Sequence, residues 1–234
     1  MSDNISDFES PLMQTPQNFT KQVRGVADAL FVKDMAVVGG AVRDCVLGQI
    51  SGQNTKPKDL DVILTAPLAA IEKNPNILGA RKNSLGGMKV CLKDFGIVDI
   101  FQQYTHFPEN IIADYFDFNC NSLFYRMRDN KIVASVFFHE FLESRTIRQQ
   151  RIWFTQNGIT GQYGVPQTVA RALKFQINFM QDYDIKTKLG YDILHMAYSM
   201  KEKEELEMQD YLLSHVEDVN LQKLIWEKYQ NIRK

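Results

Sequence analysis

Two aspartates stand two residues apart in an otherwise apolar run, Asp59-Leu60-Asp61-Val62-Ile63-Leu64. The run reads as a buried strand over Leu60 to Leu64, and side chains alternate along a strand, so both carboxylates share one face. Like charges so close repel and raise each other's pKa. On a strand of this composition the pair is expensive to keep, and a divalent cation relieves the conflict. Mg²⁺ prefers oxygen ligands and is commonly held by one or two carboxylates together with substrate phosphates.

The residues ahead of the pair complete a phosphate-binding pattern. Met35 to Val38 is a short apolar run stopped by Gly39 and Gly40, followed by a short helix over Ala41 to Leu47. Glycines let the backbone approach phosphates closely, and the helix N-terminus offers free N–H groups. Arg43 then meets a phosphate or pairs with Asp44. Further on, Asp99 interrupts the apolar strand Ile97-Val98-Asp99-Ile100-Phe101. If that strand lies beside the Asp59 strand, Asp99 completes a two-metal site, in which the ions sit roughly 3.5–4 Å apart. Taken singly, a Gly-Gly is an ordinary turn, a D-x-D an ordinary cap or loop, and a strand aspartate an edge residue facing water. The ordered combination carries the inference.

Competing templates fail. There is no GxxxxGK[ST], and Gly39-Gly40-Ala41-Val42-Arg43-Asp44 is not GxGxxG. His106, His139, His195 and His215 are scattered without metal-ligand spacing, and His139 beside Glu140 reads as structural. The cysteines, Cys45, Cys91 and Cys120, form no CxxC pair, so neither a zinc site nor a disulfide framework is supported. Each reads as a small buried hydrophobe in a reducing cytoplasm. The polar, acidic stretch from Met1 to Thr20 lacks the character of a signal peptide. No apolar run approaches the roughly 20 residues that span a bilayer. A soluble cytoplasmic protein is expected. The net charge of -1, from 27 basic and 28 acidic residues, shows no overall basic footprint of a dedicated nucleic-acid binder.

The 234 residues, 44% of them hydrophobic, suffice for one medium domain with a helical extension. A loose leader over 1–17, ending in a cap at Thr15, precedes an amphipathic helix over Asn18 to Phe31. A helix over 67–73 and a turn over Asn74 to Gly79 follow the acidic strand. Strands over Gly86 to Leu92 and Ile97 to Gln102 flank a hairpin turn. Asp114 to Arg126 reads as helical, and Ile132 to Phe138 as another apolar run. From Ser144 onward helical periodicity dominates: Pro166 to Phe179, Tyr191 to Met200, a solvated mixed-charge face over Lys201 to Glu207, and a terminal helix over Asp210 to Tyr229. The class is α+β, with a strand-rich domain over 18–143 and a helical domain over 144–234.

Val37-Val38-Gly39-Gly40-Ala41-Val42-Arg43-Asp44, followed by Lys58-Asp59-Leu60-Asp61-Val62, resembles the signature of the class II tRNA nucleotidyltransferase (CCA-adding enzyme) and bacterial poly(A) polymerase family. Asp117-Phe118-Asn119-Cys120-Asn121-Ser122-Leu123 resembles that family's RRDFTINA motif, and Arg171-Ala172-Leu173-Lys174-Phe175 its RAxRF motif on a neck helix. The likeness runs in order over roughly residues 19 to 180. It implies a polymerase-β-like head, a mixed sheet flanked by helices, followed by an α-helical neck. It implies that Asp59 and Asp61 hold magnesium, with Asp99 as a third acid and two ions in the site. It places Gly39, Gly40, Arg43 and Asp44 at the nucleotide, Asn121 at its sugar or phosphates, and Arg171 and Lys174 along its pocket. Two departures stand out. Tyr115 and Phe116 replace the arginines of the RRDFTINA motif, and Val165 and Thr168 replace the aspartate and arginine of the base-reading EDxxR motif.

The implied reaction is transfer of NMP from an NTP, ATP or CTP, to an acceptor hydroxyl with pyrophosphate release. The acceptor is RNA, a tRNA 3′ end or similar. Arg145, Arg148 and Arg151 are candidates to contact its backbone or form a solvated basic face, and Trp153, Phe154 and Tyr163 to stack a base or pack the neck. Two alternatives stay open: a small nucleotidyltransferase acting on a metabolite, an antibiotic or a protein, and a non-catalytic nucleotide-binding regulatory protein on the same fold.

Overall fold

A computed structural model describes residues 15–53, 59–64, 68–82, 87–102, 116–150 and 164–234. The leader over residues 1–14, Tyr115, Arg151, Trp153, Phe154 and Tyr163 lie outside these. The chain divides into two compact units, Met1–Phe116 with Asn121–Phe138, and Asp117–Cys120 with His139–Lys234.

The first unit opens with helix α1 (Gln17–Leu30), whose buried stripe is Phe19, Val23, Val26, Ala27 and Leu30. Thr15 does not cap it: the residue before the helix is Pro16, and the Thr15 hydroxyl donates to the Asn130 carbonyl at 3.0 Å. Strand β1 (Met35–Val38) is buried throughout, and helix α2 (Gly40–Ser51) follows at once. Then come β2 (Leu60–Leu64), α3 (Leu68–Glu72), β3 (Ile77–Lys82), β4 (Met88–Leu92), β5 (Gly96–Gln102), a 3₁₀ turn (Asn119–Asn121), β6 (Leu123–Arg126) and β7 (Lys131–Ala134).

The strands form one seven-stranded sheet in the order β3-β4-β5-β2-β1-β6-β7. The β2–β5 pair is parallel and the other neighbours are antiparallel, so the sheet is mixed, as expected. Alternation sorts its two faces. Leu60, Val62, Leu64, Met88, Val90, Leu92, Val98 and Ile100 are buried on one. The other carries a small apolar cluster of Ala36, Val38, Phe124 and Val133 beneath Ile63 and Phe116.

Three sequence expectations change here. Within the stretch read as a helix over Asp114 to Arg126, the described residues form the 3₁₀ turn and strand β6. Leu123, Phe124 and Tyr125 sit between β1 and β7 and are buried on both faces of the sheet. Residues read as a turn over Asn74 to Gly79 already enter β3, an edge strand exposed along most of its length. The apolar run Ile132 to Phe138 splits into β7 and the start of helix α4 (Val136–Ser144).

The second unit is helical apart from the short parallel pair β8 (Thr146–Ile147) and β9 (Lys188–Leu189). Its helices are α5 (Val165–Tyr183), α6 (Tyr191–Ser199), α7 (Glu202–His215) and α8 (Val219–Arg233). Val169, Leu173, Ile177, Met208, Leu212, Ile225 and Tyr229 belong to its core. The single terminal helix expected over Asp210 to Tyr229 is two. The break at Val216 to Asp218 is fixed by the Asp218 carboxylate, which accepts from the backbone N–H groups of Asn220 and Leu221. No described helix is long and apolar enough to cross a membrane.

Candidate active site

The acidic residues assemble through strand register. Asp61 on β2 pairs with Asp99 on the parallel strand β5. Asp99 pairs in turn with Lys89 on β4, and Asp61 with Val38 on β1. Directly paired residues project from the same face, so Lys89, Asp99, Asp61 and Val38 form one row across four strands. Asp59 precedes Asp61 by two and falls on that face as well. Asp59 is exposed, Asp61 half-buried and Asp99 buried.

Crowding shows in the electrostatics. The Asp61 carboxyl is pushed up to about 7, first by burial, then by the charges of Asp59 and Asp99, against the opposing pull of Lys89 and Arg43. Lys89 Nζ lies 3.0 Å from Asp99 Oδ2. Among the described residues, no group of three or more His, Cys, Asp or Glu side chains stands together so as to hold a metal ion by itself. Asp59 and Asp61 still suit a magnesium ion chemically, because that ion needs only one or two carboxylates when phosphates supply further oxygens.

The Gly-Gly turn is built against Asp61. Gly39 has φ 71° and ψ -144°, a conformation almost confined to glycine, and a Cβ on it would stand 2.8 Å from Asp61 Oδ2. Gly39 is also the residue ahead of α2, and no side chain caps that helix. The first N–H groups of α2 lack intrahelical partners by construction. The helix end and its positive dipole therefore adjoin the acidic row.

Arg43 is buried inside the same unit. Its Nε donates to Asp44 Oδ1 at 2.8 Å and its NH1 group to Asn121 Oδ1 at 2.7 Å. Of the two expectations for Arg43, the Asp44 pairing is the one seen. Asn121, on the 3₁₀ turn, meets Arg43 rather than standing alone. The guanidinium thus ties the first turn of α2 to the segment entering β6.

Arg171 and Lys174 lie on α5 in the second unit, and Asp117, just ahead of the 3₁₀ turn, belongs to the same unit. The Arg171 guanidinium is ion-paired with the Asp117 carboxylate and lies over the Phe118 ring, 5.6 Å from its centroid. Two segments that sequence alone set apart as separate motifs are therefore in contact. Phe118 also packs edge-on against Phe175 at 5.4 Å. Thr168, in the first turn of α5, is buried. Arg145 ends α4 with a left-handed backbone, φ 53°, and Arg148 follows β8, so the two do not share a helix face. Lys89 and Asp117 are functional candidates that the linear reading passed over. Counting outward from the hairpin turn after Leu92 would have set Lys89 opposite Asp99.

The fold, a mixed sheet with flanking helices followed by a helical unit, is shared with solved CCA-adding enzymes. The Thermotoga maritima CCA-adding enzyme complexed with tRNA has this fold, with TM-score 0.60 and 18% identity over 99% of this chain and 55% of its own. A CCA-adding enzyme with ATP aligns at TM-score 0.58 and 18% identity, over 92% of this chain and 50% of its own. A tRNA nucleotidyltransferase complexed with a primer tRNA and an incoming ATP analog aligns at 0.55 and 14%, over 90% and 60%. The chain spans about half the length of these structures. No protein-family model matches the chain, and no curated protein matches it.

Proposed function

We propose that this protein is a magnesium-dependent nucleotidyltransferase that moves NMP from ATP or CTP to the 3′ hydroxyl of an RNA, in the cytoplasm. One observation carries the reading: the glycine turn at the start of α2 is packed onto Asp61, and Asp61 is registered against Asp99. A phosphate-seeking helix end and an acidic pair adjoin each other, which is what a bound nucleoside triphosphate and its counter-ion require.

In this reading Asp59 and Asp61 hold the ion, and the backbone N–H groups at Gly40 and Ala41 receive phosphate oxygens. Arg43 keeps α2 in place through Asp44 and Asn121 while adding positive charge beneath the turn. Magnesium, when bound, contributes charge neutralisation on the reacting and leaving phosphate oxygens. The acceptor oxygen bonds to the α-phosphorus, the bond from that phosphorus to the β-bridging oxygen breaks, pyrophosphate leaves, and the hydroxyl proton passes to solvent. The protein's contribution is positioning and preorganised electrostatics. Arg171, oriented by Asp117 and Phe118, and Lys174 are the residues of the second unit assigned to the nucleotide in this scheme. Val165 and Thr168 lack the paired donors and acceptors of a charged base-reading motif, so discrimination between ATP and CTP is weak.

The test is label transfer from each α-labelled NTP with Mg²⁺, with and without total RNA, using the protein and its Asp59→Ala/Asp61→Ala variant. Transfer to RNA, abolished in the variant, is the expected result. Transfer only to a small molecule or a protein, or nucleotide binding without turnover, would overturn the RNA assignment.

A further inference from the structure

The third carboxylate of the row is already engaged. Asp99 is only 8% exposed, and the one ion pair recorded for it among the described residues is with Lys89, at 3.0 Å. The pairing does not depend on a chance rotamer. Lys89 and Asp99 are directly opposed in the antiparallel β4–β5 ladder, so their Cβ atoms are held about 5 Å apart by the backbone. A divalent ion bound at Asp99 would sit beside an ammonium tethered to the same spot. Two such cations about 4 Å apart repel even in a water-like medium, and more strongly at a half-buried site. The lack of convergence of three ligand side chains among the described residues agrees with this.

We infer that Lys89 is a positioning residue that holds Asp99 away from the metal and supplies fixed positive charge beside Asp61, so that the chain's own carboxylates hold a single divalent ion, at Asp59 and Asp61. This rests on the assignment of Asp59 and Asp61 as magnesium ligands. The ammonium then performs, as a permanent part of the sheet, part of the charge compensation that a second ion would otherwise provide. Asp99 serves as the anchor for that ammonium.

The test counts ions rather than turnover. Mn²⁺ is titrated into the full chain without nucleotide, and free Mn²⁺ is followed by electron paramagnetic resonance. Wild type is expected to bind one ion, and Asp99→Asn still to bind one, up to about tenfold more weakly because the Lys89 ammonium loses its counter-charge. Lys89→Met frees Asp99 and is expected to bind a second ion, or to bind the first about tenfold more tightly, which corresponds to the charge effect of one removed cation. Adding Asp99→Asn to Lys89→Met should return the wild-type behaviour. Two ions on the wild type, an ion lost in Asp99→Asn, or Lys89→Met indistinguishable from wild type would each overturn the inference. Lys89→Arg, which keeps the charge and the sheet, should hold the count at one and serves if the methionine variant does not fold. Asp61→Asn separates the two levels: loss of Mn²⁺ is expected, and retained binding would sink the ligand assignment itself.

Discussion

A Cβ on Gly39 would stand 2.8 Å from Oδ2 of Asp61, so the turn and the acid occupy adjoining space that only a hydrogen atom can share. Gly39→Ala must therefore move the carboxylate and also relax a backbone at φ 71°, ψ -144°. The expected cost is about 1–3 kcal/mol in stability. A displaced ligand costs activity more steeply, on the order of 100-fold, because misplacement by about 1 Å has effects of that size. Denaturant unfolding and label transfer on the same preparation check both.

Asp61 gives the metal-free protein an unusual pH dependence. Its folded pKa is raised to about 7 while the unfolded chain titrates at the ordinary carboxylate value, so between these limits the folded state binds more protons. Stability therefore falls as pH rises through that window. With solvent access to the half-buried group taken into account, the loss from pH 5 to pH 8 is on the order of 1–2 kcal/mol. Asp61→Asn should remove the slope and stabilise the metal-free fold at pH 8, while abolishing transfer. Urea unfolding with chelator present, at several pH values, measures this. A flat wild-type profile would contradict the crowded row.

Arg43 and Asn121 should behave as one unit. Removing either takes a buried hydrogen bond from the other, at about 1–3 kcal/mol. The double variant Arg43→Ala/Asn121→Ala should cost clearly less than the sum of the two single changes. Arg43→Lys should not rescue, because one ammonium cannot reproduce a fork that reaches Asp44 and Asn121 together.

The same logic applies in the second unit to Asp117 and Arg171. Breaking their pair from one side, as in Arg171→Gln, takes the guanidinium from a mostly buried carboxylate and should cost about 3 kcal/mol. Asp117→Asn in addition should recover part of it. The midpoint of thermal unfolding for the four proteins of this cycle is the measurement.

Much of this was legible in the linear sequence, for a physical reason. The strand, the glycine turn and the paired acids are local patterns of period two, and alternation is read directly from neighbouring residues. Lys89 was not legible in that way. Within Met88-Lys89-Val90 it is an ordinary solvent-side residue, and only register gives it meaning. Strand β3 has mostly exposed side chains, so no apolar alternation marks it. Strand β6 carries no period-two signal, because Leu123, Phe124 and Tyr125 are buried on both faces. The cysteines show the same limit. Cys45 and Cys120 are buried as expected, but Cys91 lies on the exposed side of β4.

That last difference is easily measured. Cys91 should react with a thiol reagent in the folded protein at a rate near that of a free thiol. Cys45, pushed up to about 12 by burial and by the charge of Asp44, should react only on unfolding. Mass spectrometry after brief alkylation should find one modified thiol, and its peptide should contain Cys91.

The parallel pairing of β2 with β5 has a kinetic consequence. These strands are neighbours in the sheet, yet β3 and β4 come between them in the chain. The β4–β5 hairpin closes locally and carries Lys89 and Asp99 together from its first moments. Asp61 meets them only when the larger loop closes, a slow, non-local event. The mutual repulsion of Asp61 and Asp99 therefore opposes docking of an already formed hairpin, and anything that neutralises the acids, whether protons or a divalent ion, should speed refolding of the first unit.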